Sequence, residues 1–229
     1  FRRKDLRAIC FRGRKFTVKI LAHRGCWNAE VKSNSPQAIR SALEHGFGFE
    51  SDLRDYCGEL VISHNIANAS CQKAEEVLQW LEEFNDQRCF AINIKADGMK
   101  ELLAEGLKHH RISNYFTFDM SVPQLVEFHQ LGLIYFVRQS EVEPIPVMYE
   151  DAAGIWIDGF WSDDWITHEL LENHIAHGKT VCIVSPELHK RPHLGFWARL
   201  LHFDTDFDKV MLCTDFPFEA ANAFKDKLH

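Results

Sequence analysis

The chain of 229 residues is 46% apolar and 26% charged, with a formal net charge of −7. This composition excludes disordered and collagen-like classes and describes a globular chain large enough for a sizeable core. No run of about 18 apolar residues is present, so no transmembrane segment is expected, and no secretory leader pattern is visible.

Residues 1–17 form a basic N-terminal leader, and a single domain is expected over 18–229. Eight Lys and Arg fall within residues 1–19 against one acid, Asp5, so the body is strongly acidic. An acidic body argues against nucleic acid as a partner. The seven cysteines are odd in number, widely spaced and without a C-x-x-C pair. They read as reduced core or near-core thiols of a cytoplasmic protein.

Beyond the leader, short apolar runs alternate with stretches of helical period. Strands are expected at 18–22, 47–52, 90–94, 115–118, 133–137, 154–157, 180–184 and 210–213. Helical patterns lie near 35–46, 73–84, 98–110, 121–131, 166–178, 196–202 and 217–227, and only a poor candidate, 146–151, separates the fifth and sixth strands. Apolar strands alternating with amphipathic helices imply a parallel sheet covered on both faces. Eight such units in this length favour a closed (β/α)8 TIM barrel. A doubly wound open sheet is the alternative, but no Gly-rich dinucleotide or P-loop signature accompanies it.

A barrel of this kind carries its chemistry at the carboxyl ends of its strands. Glu50 and Asp52 are two apart on a strand and project to one face, whereas Ser51 points away. Two carboxylates that close require a shared proton or a hard divalent cation, Mg²⁺ or Ca²⁺. His23 closes the first strand, and His64 follows the apolar run Leu60–Ser63. With the cations Arg24 and Lys95, these groups form the parts list for phosphoryl chemistry.

Taken together, the chain resembles the glycerophosphodiester phosphodiesterases, within the wider group of phospholipase-C-like phosphodiesterases on TIM barrels. The resemblance is carried by Ala22-His23-Arg24-Gly25, Asn34-Ser35, Glu50-Ser51-Asp52-Leu53 and the run Asp55 to Asn65. It continues through Ile92-Asn93-Ile94-Lys95, Thr117-Phe118-Asp119 and Thr214-Asp215-Phe216-Pro217. It implies His23 and His64 as an acid and base pair, Glu50 and Asp52 as ligands of one divalent metal, and Lys95 and Arg24 as phosphate holders. The implied reaction is cleavage of a glycerol- or sugar-type phosphodiester through a cyclic phosphate.

The chain departs from the family pattern at several places. Asn93 stands where the family has a third carboxylate, and its amide oxygen still ligates a hard cation without adding charge. Ser33 and Asn65 replace acids, and the segment that typical members insert after the second-strand histidine is missing. The alternative reading is therefore a weakened or inactive barrel that binds a phosphorylated ligand. Arg138, Ser140 and Glu141 on the fifth unit, with Asp158 and Trp161 on the sixth, are expected to surround a small hydroxyl-rich substrate. His109, His110, His174, His177 and His202 fall on helical stretches and are expected on the outer surface. The sequence does not specify an oligomeric state.

Overall fold

The computed structural model describes residues 18–85 and 87–225, so the basic leader at 1–17, with Cys10, lies outside the described residues. The elements run β1 (Lys19–His23), α1 (Pro36–Glu44), β2 (Gly48–Tyr56), β3 (Glu59–Ile62), β4 (Gln72–Lys73), α2 (Ala74–Glu83), β5 (Phe90–Ile94), α3 (Lys100–His109) and β6 (Tyr115–Phe118). They continue with α4 (Val122–Gln130), β7 (Phe136–Ser140), β8 (Gly154–Asp158), α5 (His168–Ala176), β9 (Thr180–Val184), α6 (Leu194–Leu201), β10 (Val210–Thr214) and α7 (Pro217–Ala223). Short 3₁₀ turns cover Pro186–His189 and Phe207–Lys209.

Eight of the strands form a parallel barrel in the order β1-β2-β5-β6-β7-β8-β9-β10, with β10 returning to β1. The β6–β7 seam is closed by a single parallel bridge, Thr117–Tyr135, where the Thr117 N–H donates to the Ile134 carbonyl at 2.9 Å. No helix links β7 to β8, as the weak pattern there implies.

Side chains alternate strictly across the barrel wall. Ile20, Ala22, Phe49, Ile92, Ile155 and Leu212 face the helices and build the outer core layers. Leu21, Phe116, Phe118, Phe136, Trp156, Cys182 and Cys213 fill the interior. Phe116 stacks on Phe136 with centroids 3.8 Å apart, and Phe118 stacks on Trp156 at 3.9 Å. Gly154 lies opposite Phe136 in register, and a Cβ there would overlap the Phe136 ring and the Thr180 carbonyl. Phe116, Phe118 and Phe136 thus fill the barrel, whereas other buried phenylalanines, among them Phe49, Phe90, Phe128 and Phe196, pack in the outer layers.

Three helices start on hydroxyl caps: Ser35, Ser121 and Thr167 accept from the backbone N–H three residues on. Each cap satisfies one donor that the helix itself leaves open.

Three features depart from the expectations or add to them. The fifth strand runs over Phe136–Ser140 rather than 133–137, because Gly132 and Leu133 close α4. Gly132 takes φ +71, and the Leu133 N–H reaches back to the Phe128 carbonyl at 3.0 Å, a Schellman ending with Leu133 as its buried apolar contact. The run Leu60–Ser63 belongs to an antiparallel hairpin on β2, turned at Cys57 and Gly58. Both turn residues have positive φ, as a two-residue hairpin loop requires.

The third concerns the helix histidines. His110 and His174 are each only 4% exposed, not on the surface. His174 bonds Tyr149 Oη at 2.7 Å and Gln139 Oε1 at 2.8 Å, and burial pulls its pKa down to about 4. Of the described thiols, Cys89, Cys182 and Cys213 are buried, Cys26 and Cys71 are half-buried, and Cys57 is exposed on the hairpin turn, none of them in a disulfide. No helix among the described residues is long and apolar enough to cross a membrane.

Candidate active site

The inward positions at the carboxyl ends of the strands converge on a polar cup above the aromatic filling. Six carboxylates (Glu50, Asp52, Asp119, Asp158, Glu187 and Asp215) share it with three permanent cations, Arg24, Lys95 and Arg138. This excess of negative charge suits a cation better than a bare anion.

His23, at the end of β1, places Nδ1 2.6 Å from Asp215 Oδ1 and Nε2 3.7 Å from Glu50 Oε2. Burial alone would lower its pKa, but Glu50 and Asp215 together outweigh that and raise it. Glu50 is 1% exposed, and desolvation followed by the charge of Asp52 pushes its pKa up to about 7. The two sit side by side because the register pairs His23 with Glu50.

The same register logic pairs Asp52 on β2 with Asn93 on β5. Asp52 is fully buried and lies 3.0 Å from Arg24 Nε and 3.4 Å from Lys95 Nζ. Its Oδ2 also accepts from Asn34 Nδ2 at 2.7 Å, while Asn34 Oδ1 accepts from Ser51 Oγ on the other face of the strand. Asn34 adopts φ +58 to bridge these two groups, as an αL asparagine can. Asp52 Oδ1 and Asn93 Oδ1 are buried without a hydrogen bond, and the Lys95 ammonium stands 3.4 Å from Asp52 Oδ1 as an ion-pair partner. The Asp52 carboxylate and the Asn93 amide oxygen, at paired strand positions beside Glu50, are hard donors of the kind that Mg²⁺ or Ca²⁺ takes.

Arg24 and Gly25 turn the chain out of the barrel with successive positive φ values of 57° and 83°. A Cβ on Gly25 would stand 2.5 Å from the Ala38 carbonyl carbon, so this turn is locked against α1. It aims the Arg24 N–H at the Glu50 backbone carbonyl, 2.9 Å away, and brings it within 3.3 Å of the Glu50 carboxylate.

On the far wall, Arg138 pairs with Asp119 at 2.9 Å and also with Glu143. Lys95 lies between Asp52 and Asp119, 3.9 Å from the latter. Burial raises the pKa of Asp119 against the pull of Arg138 and Lys95. Asp158 receives His189 Nε2 at 2.6 Å.

The expected residues divide accordingly. His23, Arg24, Glu50, Asp52, Asn93, Lys95, Arg138 and Asp158 converge on the cup. His64 is exposed on the turn after β3; it shares a groove of about 570 Å³ with Arg24, Asn34 and Ser63, and its Nδ1 lies 3.1 Å from Asn65 Oδ1. Ser140 is buried, and its hydroxyl accepts from the N–H groups of Val142 and Glu143. Glu141 accepts three backbone N–H bonds from Phe160, Trp161 and Ser162. Although burial opposes it, these bonds take the Glu141 pKa down to about 2. Both residues thus shape the loops around β7 and β8, and Trp161 is 72% exposed.

Asn34, Asp119, Glu187, His189 and Asp215 are site residues that the sequence reading did not assign. Asp119 and Asp215 carried a signal, since each ends a strand. Glu187 sits in the 3₁₀ turn after β9, accepting from Ser185, Thr214 and the Asp215 N–H, the last at 3.1 Å. Nothing local in the Ser185–His193 stretch indicates that its acid turns inward.

No protein-family model and no curated protein matches the sequence. Solved structures do resemble it. A glycerophosphodiester phosphodiesterase from Parabacteroides distasonis ATCC 8503 superposes with a TM-score of 0.70 at 15% identity, over 94% of this chain and 100% of that one. A glycerophosphoryl diester phosphodiesterase from the same organism gives 0.72 at 12% identity, over 95% and 89%. A Ca²⁺-dependent phosphatidylinositol-specific phospholipase C from Streptomyces antibioticus gives 0.54 at 10% identity, over 91% and 96%. The chain therefore has the (β/α)8 barrel fold that the solved glycerophosphodiester phosphodiesterases share.

Proposed function

We propose that the chain is a metal-dependent phosphodiesterase acting on a glycerol- or sugar-type phosphodiester. The observation that carries this reading is the buried group of Glu50, Asp52 and Asn93, with Asn93 Oδ1 left without a hydrogen bond, one strand from the His23–Asp215 pair. The fold shared with solved phosphodiesterases supports it.

In this reading Glu50, Asp52 and Asn93 hold one Mg²⁺ or Ca²⁺ ion. A cation held there would offset the negative charge that develops on the non-bridging phosphate oxygens. His23 takes the proton from the attacking hydroxyl at Nε2, because Nδ1 is committed to Asp215 and that carboxylate stabilises the imidazolium that forms. Glu50, beside it, disfavours a second negative charge unless the cation is present. Arg24 and Lys95, both lying against Asp52, are placed to share that pairing with a phosphate.

His64 protonates the departing oxygen from the rim. The Ser63 N–H bond to the Asp52 carbonyl, 2.9 Å, keeps its turn beside the cup. When the attacking hydroxyl belongs to the substrate's own alcohol, the first product is a cyclic phosphate, formed as the P–O bond to the leaving alcohol breaks. The open rim around Trp161 and the hairpin suits a small head group.

A second reading, a barrel that binds a phosphorylated ligand without turning it over, is favoured by the exposed position of His64. Hydrolysis of glycerophosphocholine, glycerophosphoinositol and an activated aryl diester, with Mg²⁺, Ca²⁺ or chelator, separates the two. Metal-dependent turnover that falls at least about 10³-fold in His23→Ala supports the enzyme. Ligand binding without turnover on the whole panel supports the second reading.

A further inference from the structure

Among the described residues, the one group of His, Cys, Asp or Glu whose ligand atoms lie mutually within 4.8 Å is not in the cup. It is Glu75, His109 and His110, where α2 meets the end of α3. His110 is almost fully buried and is gripped by two carboxylates on one face of α2, Glu75 at 2.9 Å from Nε2 and Glu82 at 3.0 Å from Nδ1. Glu75 and Glu82 are seven residues apart, two helical turns, so both reach the same imidazole. The His109 ring meets His110 edge to face, centroids 4.8 Å apart. Glu75 and His109 also line a cavity of about 780 Å³ between these helices and the β3 hairpin.

We propose that Glu75, His109 and His110 form a binding site for a divalent transition-metal ion of the Zn²⁺ class. Two imidazoles and one carboxylate select such an ion over Mg²⁺ or Ca²⁺, which prefer all-oxygen shells. Glu82 fixes the ring of His110 through Nδ1, the arrangement in which an outer carboxylate orients a ligating histidine. Bond lengths of about 2.0–2.2 Å to the metal require the donors to close up to roughly 3.3 Å of one another. His110 is held in place, and Glu75 and His109 are exposed and free to swing that distance. Three protein ligands leave a fourth position for water or a small anion. Binding forms a bond from the metal to His110 Nε2 in place of the proton shared with Glu75, and that proton goes to solvent. This site is independent of the phosphodiesterase reading and staples α2 to α3.

The test is calorimetric titration of Zn²⁺ into the metal-stripped full chain under excess Mg²⁺, in two buffers of different ionisation enthalpy, with thermal melts. The expected result is one Zn²⁺ per chain with net proton release and a raised Tm. Affinity should fall at least tenfold in His109→Ala and in Glu75→Gln, and about 10–100-fold in Glu82→Gln. Glu50→Gln should leave Zn²⁺ binding unchanged. Because Glu75 and His109 are exposed, these variants keep the fold, which circular dichroism checks. Zn²⁺ binding of equal affinity in the folded Glu75→Gln/His109→Ala double variant, or no stoichiometric binding by the wild type, overturns the proposal.

Discussion

Asp215 accepts the Nδ1–H of His23 at 2.6 Å while Glu187 holds the backbone N–H of Asp215. The carboxylate fixes the tautomer so that Nε2 faces Glu50 and the cup. Asp215→Asn keeps the shape but removes the charge that favours a protonated imidazole, so kcat on a phosphodiester should fall about 10²–10⁴-fold with KM little changed. An unchanged kcat in steady-state assays would remove Asp215 from the mechanism. His23, Glu50 and Asp52 were legible from sequence because a strand's period of two and its end suffice to place them. Glu187 and Asn34 were not, and Asp215 showed only its place at a strand end, because their partners follow from which segments become neighbours. Glu141 shows the converse: an acid in the expected place is used on three backbone N–H groups, which no local pattern reveals.

At the scale of elements, the aromatic filling of the barrel makes one glycine indispensable and leaves another merely convenient. Gly154 has the Phe136 ring against it, whereas Gly58 has open space around it and needs only its φ of +82. Gly58→Ala should therefore cost about 1 kcal/mol of left-handed strain. Gly154→Ala should cost more, about 3 kcal/mol, from overpacking. Urea denaturation of the two variants gives the order, and a smaller loss at Gly154 would mean that the Phe116–Phe136 stack yields easily. The late start of β7 belongs to this scale as well. Apolar residues 133–135 look like strand, and the pull of the α4 ending on Leu133 decides otherwise. Hydrophobic pattern alone does not distinguish a strand's first residues from a helix's closing contact.

For the whole molecule, the buried His174 makes stability depend on acidity. Its folded pKa is about 4, below the ordinary value of 6.5 that it regains on unfolding, so the unfolded chain binds the proton first. The contribution is complete above about pH 6.5 and is lost progressively as pH falls to about 4, by up to about 3 kcal/mol. His174→Gln should flatten the urea stability profile across that window, and parallel profiles for variant and wild type would refute the assignment.

The sequence by itself determined the alternation of eight barrel strands with seven helices, the inward and outward faces of each strand, and the gathering of His23, Glu50, Asp52, Asn93 and Lys95 at one end. These rest on periodicity and strand order, which are local properties of the chain. Only the tertiary structure decided that the barrel closes through Thr117 and Tyr135, that Asp215 rather than another acid serves His23, and that His110 is buried between two carboxylates of α2. Each depends on the stagger between strands and the packing of helices far apart in sequence, where a shift of one residue exchanges one partner for another.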